Sequence, residues 1–478
     1  MKKAISFLLL FALMLGLCAC GSDAEGGQAA TEGTQATAPK AAFSAGFGYA
    51  NITPKQEGLP MAGYSDGRAS EGYVTYLEAR AVAVQDEAGE ILLFVTADLS
   101  FIRPKFGRVV MDKMVKALGL PEDHIILSGT HTHGSVETES LSQPGVQEFK
   151  EMASNGMVEA AKLAIEDLKP AEVYVGTAVT EKMNYVRRYY MDDGSLTADN
   201  TAGTGTTIVA HETEADHDLG MLRFVREGGK DILITNFQAH PHLEGKSPSV
   251  SAETVGAMRD AFEVGLDVHS LHWQGAAGNL NSSGRMEGEK WTKDRKEYAQ
   301  KMLEFAKPVF NNMEKVSTGA IQVKSFDYEA IIDHSREHLL EAAQQVMAYY
   351  KAGNNAEACK PLAQSLGLEG YHQAMRIVWN AENGYSFDAK LIAWSFGDVG
   401  GVVTEYELFD TAGMYIKENS PFAKTFIVGY AYPGTGSYIP TAEAFANGGY
   451  ERDSCRYISG TSEEMCEIYL DLLNQMHK

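Results

Sequence analysis

The sequence predicts an α/β fold of mixed β-sheets with βαβ units, surrounded by helices, in a single large domain. Three observations predict it. First, the apolar runs Ile91–Thr96 and Ile125–Leu127 flank a helical stretch in which Phe106, Val110, Met114 and Leu118 share one face. Pro104 opens that stretch and Gly119 closes it, as helix start and stop signals require. Strand, helix and strand within about 40 residues form a βαβ unit, so its two strands run parallel. Second, the pattern recurs with Ile232–Phe237, a helical stretch around Thr254–Phe262, and Val268–Trp273. Met221–Val225 precedes it across the hairpin signal REGGKD. Third, Leu391–Phe396 and Val399–Thr404, separated by Gly397-Asp398, read as a further hairpin. Residues 335–383 read as mostly helical, with EHLLEAAQQVMAYY and YHQAMRIVWNAE, and a last helix covers Ser462–Met476. The stretch GYAYPGTGSYIPTAEAFANGGYE, 429–451, is rich in Gly, Pro and Tyr and reads as a loop.

The chain has 478 residues, 44% hydrophobic and 22% charged, which is globular. Its net charge of −23 argues against nucleic acid or an anionic membrane surface as the main partner. Lys2 and Lys3 precede an apolar run, Ile5–Leu17, that ends in small residues and Cys20. This is the pattern of an export signal, and it falls short of the ~20 residues a membrane span needs. The cysteine resembles the lipidated residue of a bacterial lipobox. Residues 1–20 are therefore expected to be a lipoprotein signal peptide, and 21–41, poor in large apolar groups, a flexible tether. The expected location is the outer face of a bacterial membrane, anchored through lipidated Cys20. Cys359, Cys455 and Cys466 remain; they form no disulfide framework, although Cys455 and Cys466 are free to pair outside the cytoplasm.

The stretch HIILSGTHTHGS, 124–135, carries two histidines one residue apart at the end of an apolar run. A His-x-His pair on extended backbone projects both rings to one side, which suits a metal. Asp98 and His131 both lie just past the carboxyl ends of parallel strands, where open α/β sheets place ligands. The second βαβ-like unit runs into QAHPH, with His240 and His242, so His131 and His240 are expected at one rim. Metallo-β-lactamases continue their HxH into an Asp-His pair, and Gly134-Ser135-Val136 stands there instead. Amidohydrolase barrels place HxH after the first strand, earlier than here.

Several separated motifs, in order, resemble the neutral/alkaline non-lysosomal ceramidase family. They are GYANITP with MAGY, LEARAVAV, FVTADLS, LSGTHTHGS, NFQAHP, QGAAGNLNS, EYELFDTAG and SYIPTAEAFANGGYE. The resemblance implies a single large catalytic domain, 42–478, without the C-terminal β-rich domain usual in that family. It implies one catalytic Zn2+ held by His131, His240, Glu407 and Tyr438. Glu407 is preferred over Glu405 because it lies six residues before Gly413, and Tyr438 lies twelve before Tyr450, matching the family's spacings. His133 and Tyr450 resemble the pair that contacts the reacting carbonyl oxygen. A family arginine maps to Arg187 in NYVRRY, with Arg188 as its rival. Asp98 is expected either to orient a ligand histidine or to cap its strand. His242 reads as a spare ligand or an exposed loop residue, and His124, His269 and His272 as structural or surface groups.

The implied activity is zinc-dependent hydrolysis of the amide of ceramide or a related N-acyl lipid. The departures from the family pattern, such as GTHTHGS without its usual continuation, leave open another amide or ester, or a non-catalytic ligand-binding lipoprotein.

Overall fold

Near-continuous apolar runs set the centre of the fold. The computed structural model describes residues 42–64, 67–139, 143–198 and 205–477; the signal-like segment, Cys20 and the tether lie outside them. Strand β1 (Phe43–Asn51) pairs antiparallel with β2 (Glu78–Asp86), which pairs antiparallel with β3 (Ile91–Ala97). Helix α1 (Pro104–Leu118) then crosses back to β4 (Ile125–Gly129), parallel to β3, as its sequence predicts. Gly119 closes α1 with φ 70°, a left-handed C-cap. Helix α2 (Pro144–Glu166) leads to β5 (Lys169–Val179), which joins β1. Beyond β5 come Asp218–Arg226, Ile232–Phe237 and His269–Gln274, the last two parallel, with helix Glu253–Leu266 between them. Together with Glu314–Val316 these form a nine-stranded mixed sheet.

β3 and β4 are buried on both sides because both faces of the sheet are covered. On one face α1 and α2 pack Val110, Met114, Phe149 and Met157 against Leu93, Val95 and Leu127. On the other lies a four-stranded sheet, Ile321–Ile331, Ser386–Phe396, Val399–Val403 and Lys424–Val428. Phe94, Trp273, Trp394, Phe396 and Phe426 fill the space between the sheets. Phe94 approaches Trp273 at 4.8 Å and Trp394 at 5.0 Å in tilted and edge-on geometry, as aromatic quadrupoles prefer. Helix Thr461–Met476 covers the far side of the second sheet through Met465, Tyr469 and Leu473.

The hairpin tip between Ile331 and Ser386 carries a helical insert with its own apolar cluster, including Val346, Leu368, Tyr371 and Ile377. The segment 429–451, expected to be all loop, contains strand Tyr438–Ile439 and the short helices Ala442–Asn447 and Tyr450–Ser454. Pairing with a distant strand creates the first, and the Thr441 side chain caps the second by accepting from the Ala444 amide. Cys455 and Cys466 do not pair; all three described cysteines are free and buried. No helix among the described residues is long and apolar enough to cross a membrane.

Candidate metal centre

Four parallel strand pairs aim their carboxyl ends at one place. His131 follows β4; its amide bonds back to the Leu99 carbonyl in the loop after β3, and that of Thr130 to the Ala97 carbonyl at the end of β3. The backbone at His131 has φ 62°, a left-handed conformation unusual for a side chain with a Cβ. Its HxH unit therefore turns its rings inward through this kink, where the sequence suggested extended backbone. His131 Nδ1 donates to the Ser100 carbonyl at 2.9 Å. His240, beyond strand Ile232–Phe237, donates Nδ1 to the Leu280 carbonyl, also at 2.9 Å. Each bond fixes the tautomer and leaves Nε2 as a lone pair facing inward. The two rings are 4.7 Å apart and nearly perpendicular.

Glu407 begins a two-residue strand, Glu407–Leu408, parallel to Tyr438–Ile439, with Glu407 and Tyr438 as register partners. Residues far apart in sequence are thereby fixed side by side. Gly278 lets the loop after strand His269–Gln274 lie against this strand, since a Cβ there would come 2.4 Å from the Glu407 carbonyl. Glu407 Oε2 lies 3.2 Å from His240 Nε2 and 3.6 Å from His131 Nε2. All three side chains are buried, and neither Glu407 Oε2 nor His240 Nε2 has a hydrogen-bond partner among the described residues. Burial lowers the His131 pKa to about 3 and drives His240 well below the ordinary imidazole value, so both rings are neutral. Burial also raises Glu407, with His131, Arg187 and a hydrogen bond from Tyr438 opposing it. A buried carboxylate facing two imidazole lone pairs places acceptors against acceptors. A cation between them resolves that conflict, and N,N,O is a donor set that zinc takes.

His133 Nε2 lies 3.4 Å from His131 Nε2, and ligand atoms of His131, His133 and His240 all fall within 4.8 Å of one another. These three buried histidines could hold a metal ion by themselves. Gly63, at φ 90°, makes room for the His133 ring, because a Cβ there would sit 2.4 Å from its Cγ.

Arg187 stands on the opposite wall. Its Nε donates to Glu451 Oε1 at 2.8 Å and its Nη2 to the Gly278 carbonyl at 2.9 Å. Its guanidinium carbon lies 5.3 Å from the Tyr438 ring and 5.5 Å from the Tyr450 ring, which are 5.4 Å apart. Arg188 instead pairs with Glu212 and Glu451 and donates to the carbonyls of Ala444 and Gly448. Adjacent residues in an extended segment face opposite ways, so Arg187 alone enters the cleft. Glu405 is buried apart from the imidazoles, near Thr435 and Tyr406, and burial lifts its pKa to about 7.

Other candidates settle differently. Asp98 makes two 2.7 Å bonds to Arg259 and accepts the Glu78 amide, so it braces strands and does not touch a candidate ligand histidine. His242 is half-buried, bonded through Nε2 to Asn281 Oδ1 at 3.0 Å, with its ring 5.2 Å from His133. That places it in the cluster and not on an exposed loop. His124 bonds the Ile91 carbonyl, His269 stacks on Phe47, and His272 bonds Thr235. Sequence reasoning missed Tyr430, whose ring stacks on His131 at 4.0 Å, and Glu451, the shared partner of both arginines. Glu451 had a signal, since it directly follows Tyr450; Tyr430 had none.

Residues 43–272 match the family described as neutral/alkaline non-lysosomal ceramidase, N-terminal. That stretch is just under half of the chain, and over it the chain is similar to this ceramidase family. Neutral ceramidase of Drosophila pseudoobscura pseudoobscura is 31% identical over 134 residues, covering 27% of this chain and 16% of that protein. Neutral ceramidase of Drosophila melanogaster is 33% identical over 98 residues, covering 20% and 14%. The matched stretches thus span well under two thirds of either relative. The crystal structure of neutral ceramidase from Pseudomonas aeruginosa superposes with a TM-score of 0.69 at 19% identity, covering 91% of this chain and 75% of that one. A ceramidase complexed with C2 gives 0.67 at 17% identity, with the same coverages. At these identities the structures establish a shared fold.

Proposed function

We propose that this chain is a zinc-dependent amidohydrolase that cleaves the amide of ceramide or a related N-acyl lipid. One observation carries the reading: Glu407 Oε2, without a hydrogen-bond partner among the described residues, lies 3.2 and 3.6 Å from two neutral imidazoles in a buried cluster. The family match over residues 43–272 and the shared fold support it.

In this reading His131, His240, Glu407 and Tyr438 hold the ion. When bound, Zn2+ would polarise an amide carbonyl and lower the pKa of nearby water toward ~7. The protein's own part is orientation and charge. The Ser100 and Leu280 carbonyls keep both Nε2 lone pairs aimed inward. Burial holds the Tyr450 phenol above its ordinary pKa, so it stays protonated and donates a hydrogen bond at neutral pH. His133, Tyr450 and Arg187 line the cleft as donors for a developing oxyanion; one such donor contributes about 3–4 kcal/mol. Glu451 and the Gly278 carbonyl fix Arg187 before substrate arrives, so little reorganisation is needed. Export and lipidation of Cys20 would hold this site at a bacterial membrane, beside lipid substrates. Release of a Cys20→Ser variant from membranes tests that anchor.

The test of function is incubation with short-chain ceramide, with and without a chelator, followed by a panel of N-acyl amides and esters with product mass spectrometry. Chelator-sensitive release of fatty acid and amine is expected. Tight ligand binding with no product from any substrate would instead favour a non-catalytic binding lipoprotein.

A further inference from the structure

Behind Tyr450 lies a group of cations that the proposed hydrolysis does not use. Helix Tyr371–Glu382 presents His372, Arg376 and Trp379 at i, i+4 and i+7, one stripe of the helix. His372 meets the Tyr450 ring edge-on, with centroids 4.9 Å apart at 88°. One turn further, about 5 Å along the axis, Arg376 is only 4% exposed, and its side chain has no hydrogen bond or ion pair among the described residues. Arg456, from the segment after Tyr450, lacks such a side-chain partner as well. The guanidinium carbons of Arg456 and Arg376 lie 4.2 and 5.7 Å from the Trp379 ring.

Asp453, Asp333 and Glu139 face other arginines, while both Glu405 oxygens are buried without a hydrogen-bond partner among the described residues. Asp453 takes Arg336 at 2.8 Å, Arg452 at 3.3 Å and the Gln373 amide at 2.9 Å. Asp333 lies 4.0 Å from Arg336, and Glu139 pairs with Arg103 at 3.4 Å. Glu405 feels Arg456 but lies outside ion-pair distance of it. Four arginines therefore share two aspartates. An unpaired charge inside a protein costs several kcal/mol, and it is felt here: burial, then Arg456, pull the Arg376 guanidinium down to about 9.

We propose that Arg376 and Arg456, flanking Trp379, form a subsite for an oxyanion carried by the substrate, one helical turn from Tyr450. The inference rests on the amidohydrolase reading and narrows its substrate class to N-acyl compounds whose head group bears a carboxylate, sulfonate or phosphate. Planar guanidinium groups suit such oxyanions. The net charge of −23 opposes capture of a free anion from solution, whereas an acyl chain supplies the binding energy to bring a tethered one in.

The experiment uses the full chain and a matched pair of probes, N-dodecanoylglycine and N-dodecanoylethanolamine, with inorganic phosphate as a third arm. Affinities are measured by titration calorimetry and turnover by product mass spectrometry. Wild type is expected to bind the carboxylate probe roughly tenfold or more tightly than the neutral one. Arg376→Gln and Arg456→Gln should each bring that ratio toward one, leaving kcat on the neutral amide within about twofold, whereas Arg376→Lys should keep part of the preference. Arg456 is half-buried, so its variant decides the matter should Arg376→Gln fail to fold. Equal affinity for both probes in wild type, or an unchanged ratio in the variants, overturns the subsite. Phosphate binding that the variants abolish, without any preference between the probes, assigns the arginines to a free anion and overturns the substrate-borne form. Absence of turnover in every form refutes the hydrolase reading, while calorimetry still judges the subsite.

Discussion

Replacing His240 by alanine removes one of the two imidazoles that face Glu407, at 3.2 Å. In wild type, zinc at a thousandfold excess over its Kd should stabilise the folded chain by about 4 kcal/mol. Unfolding entropy of ~2.1 cal/mol/K per residue over roughly 430 residues gives about 0.9 kcal/mol/K, so Tm should rise by about 4–5 °C. A hundredfold loss of affinity in His240→Ala leaves zinc at ten times Kd, which contributes about 1.4 kcal/mol and about 1.5 °C. The ring's bond to the Leu280 carbonyl is too minor for its loss to prevent folding. The assay is a thermal melt in chelator, repeated after zinc is restored, with bound zinc counted by plasma mass spectrometry and short-chain ceramide turnover measured alongside. Wild type should hold one zinc per chain, and the variant should lose zinc and turnover together while keeping its chelator-state Tm within a few degrees. A variant that keeps the full zinc-dependent rise and full turnover would refute the ligand assignment.

Arg187→Ala should lower kcat by about 10²–10³-fold while zinc content stays at one per chain, since the arginine faces Tyr438 and Tyr450 and not the imidazole nitrogens; equal loss of zinc would contradict this. Asp98→Ala removes both short bonds from buried Arg259 and leaves it only Glu78 at 3.9 Å, so stability should fall by about 3–5 kcal/mol in denaturant melts, with the zinc-dependent Tm rise retained. Burial holds His272 at about 3. Above the unfolded value of 6.5 both states are neutral there; as pH falls toward 3 only the unfolded chain takes the proton, so stability drains across that window, by about 2 kcal/mol at pH 5. His272→Gln should flatten that limb of the stability–pH curve, and an unchanged slope would show that His272 does not cause it. Reductant should leave the Tm unchanged, because Cys359, Cys455 and Cys466 are free.

Much of the framework could be read from local pattern. The 3.6-residue spacing of Phe106, Val110 and Met114 between two apolar runs is a local property, and helix and parallel strands follow from it. So is the position of His131 and His240 just past strand ends. The choice between neighbours was not local. Arg187 enters the cleft and Arg188 does not because Glu451, 264 and 263 residues away from them in sequence, takes one on each oxygen. Asp98 looked like a partner for an imidazole, but Arg259, brought by a helix on another unit, claims both its oxygens. The 429–451 segment carried turn composition throughout, yet Tyr438 becomes a strand residue because Glu407 offers it an edge to pair with.

Composition and periodicity alone determined an acidic α/β chain with a signal-like start and histidines at strand ends. Those features depend on side chains a few residues apart, where the backbone geometry is known in advance. Only the tertiary structure decided that Glu407 Oε2 stands opposite two neutral Nε2 atoms with no partner, and that Arg376 lies buried without a counter-charge. Burial and the approach of distant groups set those electrostatics, and both exist only once the sheets have packed.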